Sequence, residues 1–252
     1  MSQAGLAPSR WKLPSRLHES ISGYLFSLPA VLTLLVFMVI PIAGALALVF
    51  FNYTILDPPK WVGLDNITRL FGDKRLWTCY RNSAVITVGA VLGNNVIGLL
   101  LAMGVNRSIG KVFQYIFRTI YFFPVITTTA SLAMVWQFML TRDRGIMNWL
   151  LAQVGIAPVS FLSSPVWAIR SVIAYDIWKA CGYLMVIYLA GLQGIPDPLY
   201  EAAEIDGASR WQLTRHITLP LITPTAFFCL IISSIGAIQI FDNAYVLTSG
   251  GP

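Results

Sequence analysis

The sequence predicts an all-α, polytopic bundle of membrane-spanning helices, and three observations lead there. Of its 252 residues, 56% are hydrophobic and only 11% are charged, against about 25% charged in an ordinary globular chain. Five apolar stretches reach the roughly 20 residues that a helix needs to cross hydrocarbon. Backbone groups find no water there, so each stretch must satisfy its own N–H and C=O groups as a helix.

The net charge of +6 would suit nucleic acid, but no arginine-rich run or aromatic nucleic-acid motif accompanies it. Basic residues flanking spans explain the surplus. Membrane lipid is therefore an expected partner and nucleic acid is not. Cys79, Cys181 and Cys229 are odd in number and far apart, which supports neither a disulfide framework nor a zinc site; they read as small apolar filler. His18 and His216 lie near opposite ends of the chain, and no metal is assigned.

The first span, Ile21 to Phe51, is too long for a signal-peptide core, and Pro29 and Pro41 predict a kink in it. Residues 1–20 are a tail expected in the cytoplasm, and 21–252 the transmembrane domain. Within the tail, Ser9 to Glu19 carries Arg10, Trp11, Lys12 and Arg16, which suits a helix lying on anionic lipid; a disordered tail fits equally well. The second span, Ser83 to Val105, contains Gly89, Gly93 and the pair Asn94-Asn95, a pattern suited to close helix packing. Asn95 is also a lesser candidate for a polar pathway.

The third span, Thr119 to Leu140, carries Phe122-Phe123-Pro124 and Thr127-Thr128-Thr129. A kink is expected, with hydroxyls satisfying freed carbonyls. Gly145 to Leu162 is apolar but short and broken by Pro158, so it reads as interfacial. The fourth and fifth spans are Val172 to Leu192 and Leu221 to Ile240. Lys and Arg divide almost evenly between the loops, so orientation rests on the basic residues before the first span and in the loop Asn106 to Arg118. An inside N-terminus places the loop Gln193 to Leu219 in the cytoplasm.

That loop reads as helix, turn, helix. Asp197 is expected to cap a first arm with Pro198 at its first position. Glu201 to Glu204 continue the arm, Asp206-Gly207 supply a turn with positive φ, and Ala208 to His216 form a second short helix before Pro220 opens the fifth span.

Glu201-Ala202-Ala203, Gly207, Ile217 and Leu219-Pro220 stand at the spacing of the EAA loop and resemble that of ABC importer permeases. The resemblance narrows to the sugar-type permeases through Trp61-Val62-Gly63-Leu64-Asp65-Asn66, Ile205-Asp206-Gly207-Ala208, and Phe241-Asp242 followed by Val246 to Pro252. It implies a bacterial inner-membrane subunit that translocates a sugar or related polyol. Loop 196–220, with Glu201, Ala202, Ala203, Asp206, Gly207, Ile217, Leu219 and Pro220, would couple it to a cytoplasmic ATPase. Expected partners are a second permease, two ATPase subunits that hold ATP and Mg, and an extracytoplasmic solute-binding protein. A sixth core helix is expected beyond Pro252.

No Gly-rich phosphate loop or nucleophile constellation is present, so neither a catalytic centre nor a cofactor is expected in this chain. Asp176 and Lys179 are three apart on one helix face and are expected to pair, although near the outer end of the span they could equally face water or lock helices. Trp178 and Tyr183 flank them. An aromatic platform beside hydrogen-bonding groups suits a pyranose. Resemblance to the maltose-type permease implies a substrate pathway through Tyr183 and through Ser233, Ser234, Gln239, Asp242 and Asn243 of the fifth helix; Trp178 and Lys179 join it as the aromatic and the charge beside Tyr183 at membrane depth. A permease for another solute class, such as glycerophosphodiesters, and a secondary transporter are the alternatives; no inverted repeat supports the latter.

Overall fold

The computed structural model describes residues 15–106 and 110–251. Residues 1–14, most of the expected tail and surface segment, lie outside the described residues, as do 107–109 of the expected Asn106 to Arg118 loop and Pro252. The chain divides after Leu76 into two units.

In the first unit, α1 (Ser15–Leu34), a π-helical turn (Leu35–Val39) and α2 (Ile40–Leu48) follow without a break. Residues Ser20–Leu48 form one apolar helix whose most apolar 18-residue window has mean hydropathy 2.7, with none of that window buried by the chain. Pro41 explains the π turn: it lacks an N–H, and its ring collides with the carbonyl four residues back, that of Phe37, so the helix widens there. Pro29 sits inside α1 without a break, so of the two prolines expected to divide the span only Pro41 leaves a mark, as this π turn.

The all-α fold is as expected, with one small ribbon besides. β1 (Phe51–Asn52) pairs antiparallel with β2 (Lys60–Trp61), and Trp61 stacks on Phe50 with centroids 5.6 Å apart. Asn66 Nδ2 donates to the carbonyls of Val49 and Phe51. Gly63 at φ 60° turns the chain into α3 (Asp65–Gly72).

The second unit is built around α8 (Pro165–Gln193), which buries residues along its whole length. α4 (Lys74–Asn106) packs on it through glycines: a Cβ at Gly89 or Gly93 would meet Ile173 or Ile177, and one at Gly98 would lie 2.9 Å from Leu184. The expected small-residue packing therefore holds, with Gly98 added. Ala102, Leu184, Met185, Tyr188, Leu192 and Ile222 form the main core.

The expected third span is two helices. α5 (Lys111–Ile126) begins eight residues before Thr119, and α6 (Thr129–Leu140) departs from it at 100°. The break falls at Thr127-Thr128, not at Pro124, which stays inside α5. Thr127 Oγ1 donates to the Phe123 carbonyl at 3.0 Å, the expected hydroxyl rescue. By length and composition the described residues hold four helices able to cross a membrane, or five if this broken pair counts as one.

α7 (Ile146–Gln153) follows; its Asn148 exchanges hydrogen bonds with Val159, closing the segment on itself. α8 starts at Pro165, seven residues before Val172, so Asp176 and Lys179 lie near its middle and not near its end. After α9 (Asp197–Ile205), α10 (Arg210–Leu213), a second π turn (Thr214–Thr218) and α11 (Leu219–Ile238) form one 29-residue helix. The loop's second arm is therefore the root of the fifth span, not a separate short helix. α12 (Asp242–Thr248) ends at Ser249 and Gly250, both with positive φ.

Candidate functional site

Two places in the second unit gather the expected residues. The first is a cavity of about 420 Å³ walled by α4, α6, α8, α11 and α12. Of the residues singled out in the sequence, Lys179, Tyr183, Ser233, Gln239, Asp242 and Asn243 line it, together with Asn94, Thr129, Asp176 and Phe241.

Trp178 and Ser234 are not in its wall. Successive helical residues turn by about 100°, so Trp178 faces away from the side that Lys179 presents; it packs on Trp136 at 5.5 Å and Tyr175 at 6.4 Å. Ser234, one residue past Ser233, spends its hydroxyl on its own helix at the Leu230 carbonyl.

Asp176 does not pair with Lys179. Its Oδ2 accepts from Asn94 Nδ2 at 2.9 Å and its Oδ1 from Asn243 Nδ2 at 3.2 Å, so α4 and α12 both clasp α8 at this carboxylate. All three residues are buried. Lys179 Nζ donates instead to Thr129 Oγ1, and Tyr175 OH donates to the Thr129 carbonyl at 2.9 Å. Both bonds hold the first turn of α6 against α8.

Close by, Tyr188 OH donates to Asn95 Oδ1 at 2.8 Å, and Asn95 Nδ2 donates to Ser233 Oγ at 2.9 Å. Asn95 is thus a knot between α4, α8 and α11 and not a wall residue. Asn94, its neighbour, is the one that reaches the cavity. An asparagine pair within an apolar run was the available signal, but only helix rotation tells which member faces in.

The second place is the loop. α9 begins at Asp197 with Pro196 as its N-cap and no side-chain cap, one residue ahead of the expected cap, and Pro198 sits at the second position. Its C-terminus is a Schellman closure: Ala208 N–H donates to Ala203 O, and Gly207 N–H to Glu204 O. Gly207 takes φ 80°, the expected left-handed turn. Ser209 and Gln212 then form a reciprocal capping box that opens α10; the Ser-x-x-Gln spacing was readable but had no part in the sequence argument.

Ala203, Asp206, Gly207 and Ile217 share one shallow depression between the arms. Glu201 and Ala202 point outward, and Leu219 and Pro220 belong to α11. Two apolar side chains of the loop are exposed, Ile205 at 87% and Trp211 at 66%. Neither had a role in the sequence reading, since exposure is a tertiary property.

Comparison with known proteins places this geometry. The profile of the family described as binding-protein-dependent transport system inner membrane component matches residues 94–252. The trehalose/maltose transport system permease protein MalF of Thermococcus litoralis is 34% identical over 93% of this chain and 79% of its own. Among solved structures, a bacterial ABC transporter involved in import of the acidic polysaccharide alginate matches with TM-score 0.80 and 28% identity, over 93% of this chain and 80% of the other. A second alginate transporter structure, in complex with an alginate pentasaccharide-bound periplasmic protein, matches with TM-score 0.79 and 25% identity over 92% and 81%. The chain belongs to the inner membrane components of binding-protein-dependent transport systems and is a membrane-spanning ABC permease subunit.

Proposed function

We propose that this permease carries a sugar or related polyol, delivered by an extracytoplasmic solute-binding protein, through the Asn94–Asp176–Tyr183 cavity. The observation that carries the reading is that cavity: hydroxyl and amide groups beside an exposed tyrosine ring, set among apolar helices, the combination a pyranose needs. The relatives support it, one being a trehalose/maltose permease and another solved with a bound oligosaccharide on its periplasmic protein.

Two carboxylates, Asp176 and Asp242, face one ammonium, Lys179. That balance favours an uncharged hydroxyl-rich solute over a phosphodiester. The N-terminus lies in the cytoplasm of a bacterial cell, which puts loop 196–220 on the same side. There Glu201, Ala202, Ala203, Asp206, Gly207 and Ile217 seat in a groove of an ATPase subunit, while Leu219 and Pro220 anchor the loop to α11. Two ATPase subunits bind ATP and Mg, and a second related permease completes the pathway.

Uptake of radiolabelled maltose, trehalose, glycerol and glycerophosphocholine by cells carrying the whole system is the test. Uptake of a neutral sugar or polyol that is lost with Tyr183→Ala is expected. Uptake of glycerophosphocholine alone would overturn the sugar reading. For the loop, Ala203→Cys should cross-link to a cysteine in the ATPase groove, and no cross-link along Leu199 to Ala208 would overturn its docking.

A further inference from the structure

One side-chain bond among the described residues ties α9 to the helix that becomes α11: Tyr200 OH lies 3.0 Å from Thr218 Oγ1. Thr218 is buried, and its hydroxyl also reaches the Leu213 carbonyl, five residues back, at 3.4 Å. A threonine hydroxyl has one hydrogen. If that hydrogen goes to Leu213, Tyr200 must be the donor of the other bond. The order is then Tyr200 O–H to Thr218 Oγ1, and Thr218 O–H to the carbonyl that opens the π turn.

The π turn has a cause in the sequence. Pro220 cannot donate to the His216 carbonyl, and its ring crowds that group; the helix widens over Thr214–Thr218. The same spacing, a proline two residues past the turn, recurs at Leu35–Val39 and Pro41. Only the second π turn has a side chain from another helix fastened to it among the hydrogen bonds of the described residues. π turns are frequent where a helix must yield or be held for function.

Beyond the turn the helix runs unbroken to Ile238. Ser233, which lines the cavity and is tied to Asn95, is fifteen residues past Thr218 on that helix, or about 22 Å at 1.5 Å per residue. The loop's own turn is closed by the Schellman bonds and the capping box, but those fix only the local angle. Tyr200 reaches across that turn.

We propose that Tyr200 is a positioning residue: its hydroxyl clamps α9 to the π turn at the root of α11, so that a push on the coupling arm reaches the cavity wall as a shift of one rigid helix. This rests on the reading of α9 as the ATPase-docking arm. The competing role is packing alone, because the Tyr200 ring also lies against the main core. Tyr200→Phe separates the two, since it keeps the ring and deletes only the donor. Thr218→Val removes the acceptor at nearly constant shape, and Thr218→Ser restores it.

The experiment places spin labels at Glu204→Cys on α9, exposed and outside the docking residues, and Ile235→Cys on α11, in a Cys79→Ser background of the assembled complex, and reads the distance distribution between them by pulsed electron resonance. A single narrow distribution is expected for the parent and for Thr218→Ser. Tyr200→Phe and Thr218→Val should each broaden it about twofold, and the double variant should add nothing further. An unchanged width in Tyr200→Phe, or broadening that adds in the double variant, overturns the clamp. Failure of the docking reading shows differently, as loss of the Ala203→Cys cross-link to the ATPase while the widths still respond to Tyr200.

Discussion

The cavity and the loop are held by bonds of opposite kinds. In the loop the bonds that shape the turn are local: Ala208 to Ala203, Gly207 to Glu204, Ser209 with Gln212. In the cavity they join residues far apart in the chain, Asn94 to Asp176, Asn243 to Asp176, and Asn95 to Ser233. A locally determined turn keeps its shape while its surroundings move, which suits a part that is pushed. A wall assembled from several helices changes when any one of them shifts, which suits a part that must open.

Replacing Asp176 attacks the wall hardest. Asp176→Leu leaves the buried Asn94 and Asn243 amides without their acceptor, at a cost of about 1–3 kcal/mol for each group stranded away from water. The thermal midpoint of the detergent-solubilised complex should drop by several degrees and transport should cease. A midpoint equal to the parent's would show that the carboxylate does not clasp the helices together.

Gly182→Val should come next. A Cβ at Gly182 would run into the backbone carbonyl of Tyr121, and backbone cannot rotate aside as a side chain can. Overpacking of this sort costs about 1–3 kcal/mol. Lower yield of folded complex is expected, measured by size-exclusion chromatography, with α5 pushed off α8; normal yield would contradict the tight crossing.

Gly207→Val tests the loop. Nothing lies within 4 Å of a Cβ built there, yet φ is 80°, so the penalty is backbone strain alone, about 1–2 kcal/mol for left-handed geometry and more for a β-branched residue. Transport should fall far more than membrane abundance, and Gly207→Asn, which tolerates positive φ, should retain most of it. Parallel loss of transport and abundance would make Gly207 a folding residue.

The smallest effects on stability are expected at Tyr183→Ala, within about 0.5 kcal/mol because the side chain faces the cavity, and at Lys179→Met, about 0.5–1.5 kcal/mol for the lost bond to Thr129. Transport should nevertheless drop about tenfold, equivalent to about 1.4 kcal/mol of lost interaction, with assembly and basal ATP hydrolysis intact. Wild-type uptake in both variants would move the pathway to Gln239 and Asp242.

What the sequence determined by itself follows from how short the range of each cause is. Composition alone demands membrane helices, because unpaired backbone is intolerable in hydrocarbon. Gly207 sets the loop's turn through its own φ, Ser209 and Gln212 set the cap three residues apart, and Pro220 widens the helix immediately before it. Each acts within one helical turn, so the chain need not be folded for them to be read. Even there a single residue of phase decided whether Pro196 or Asp197 stood at the cap.

Tertiary structure decided the rest. Asp176 and Lys179 are placed by their spacing to pair, but the chain brings two amides to the carboxylate and a threonine to the ammonium, and no local pattern encodes which partner arrives. Trp178 and Ser234 differ from wall residues only by one step of rotation, which depends on how α8 and α11 lie against their neighbours. The break at Thr127-Thr128 depends likewise on what α6 can pack against, since the proline offered as its cause sits undisturbed within α5. Polar groups buried among helices choose partners by proximity in space, and that proximity exists only once the helices have assembled.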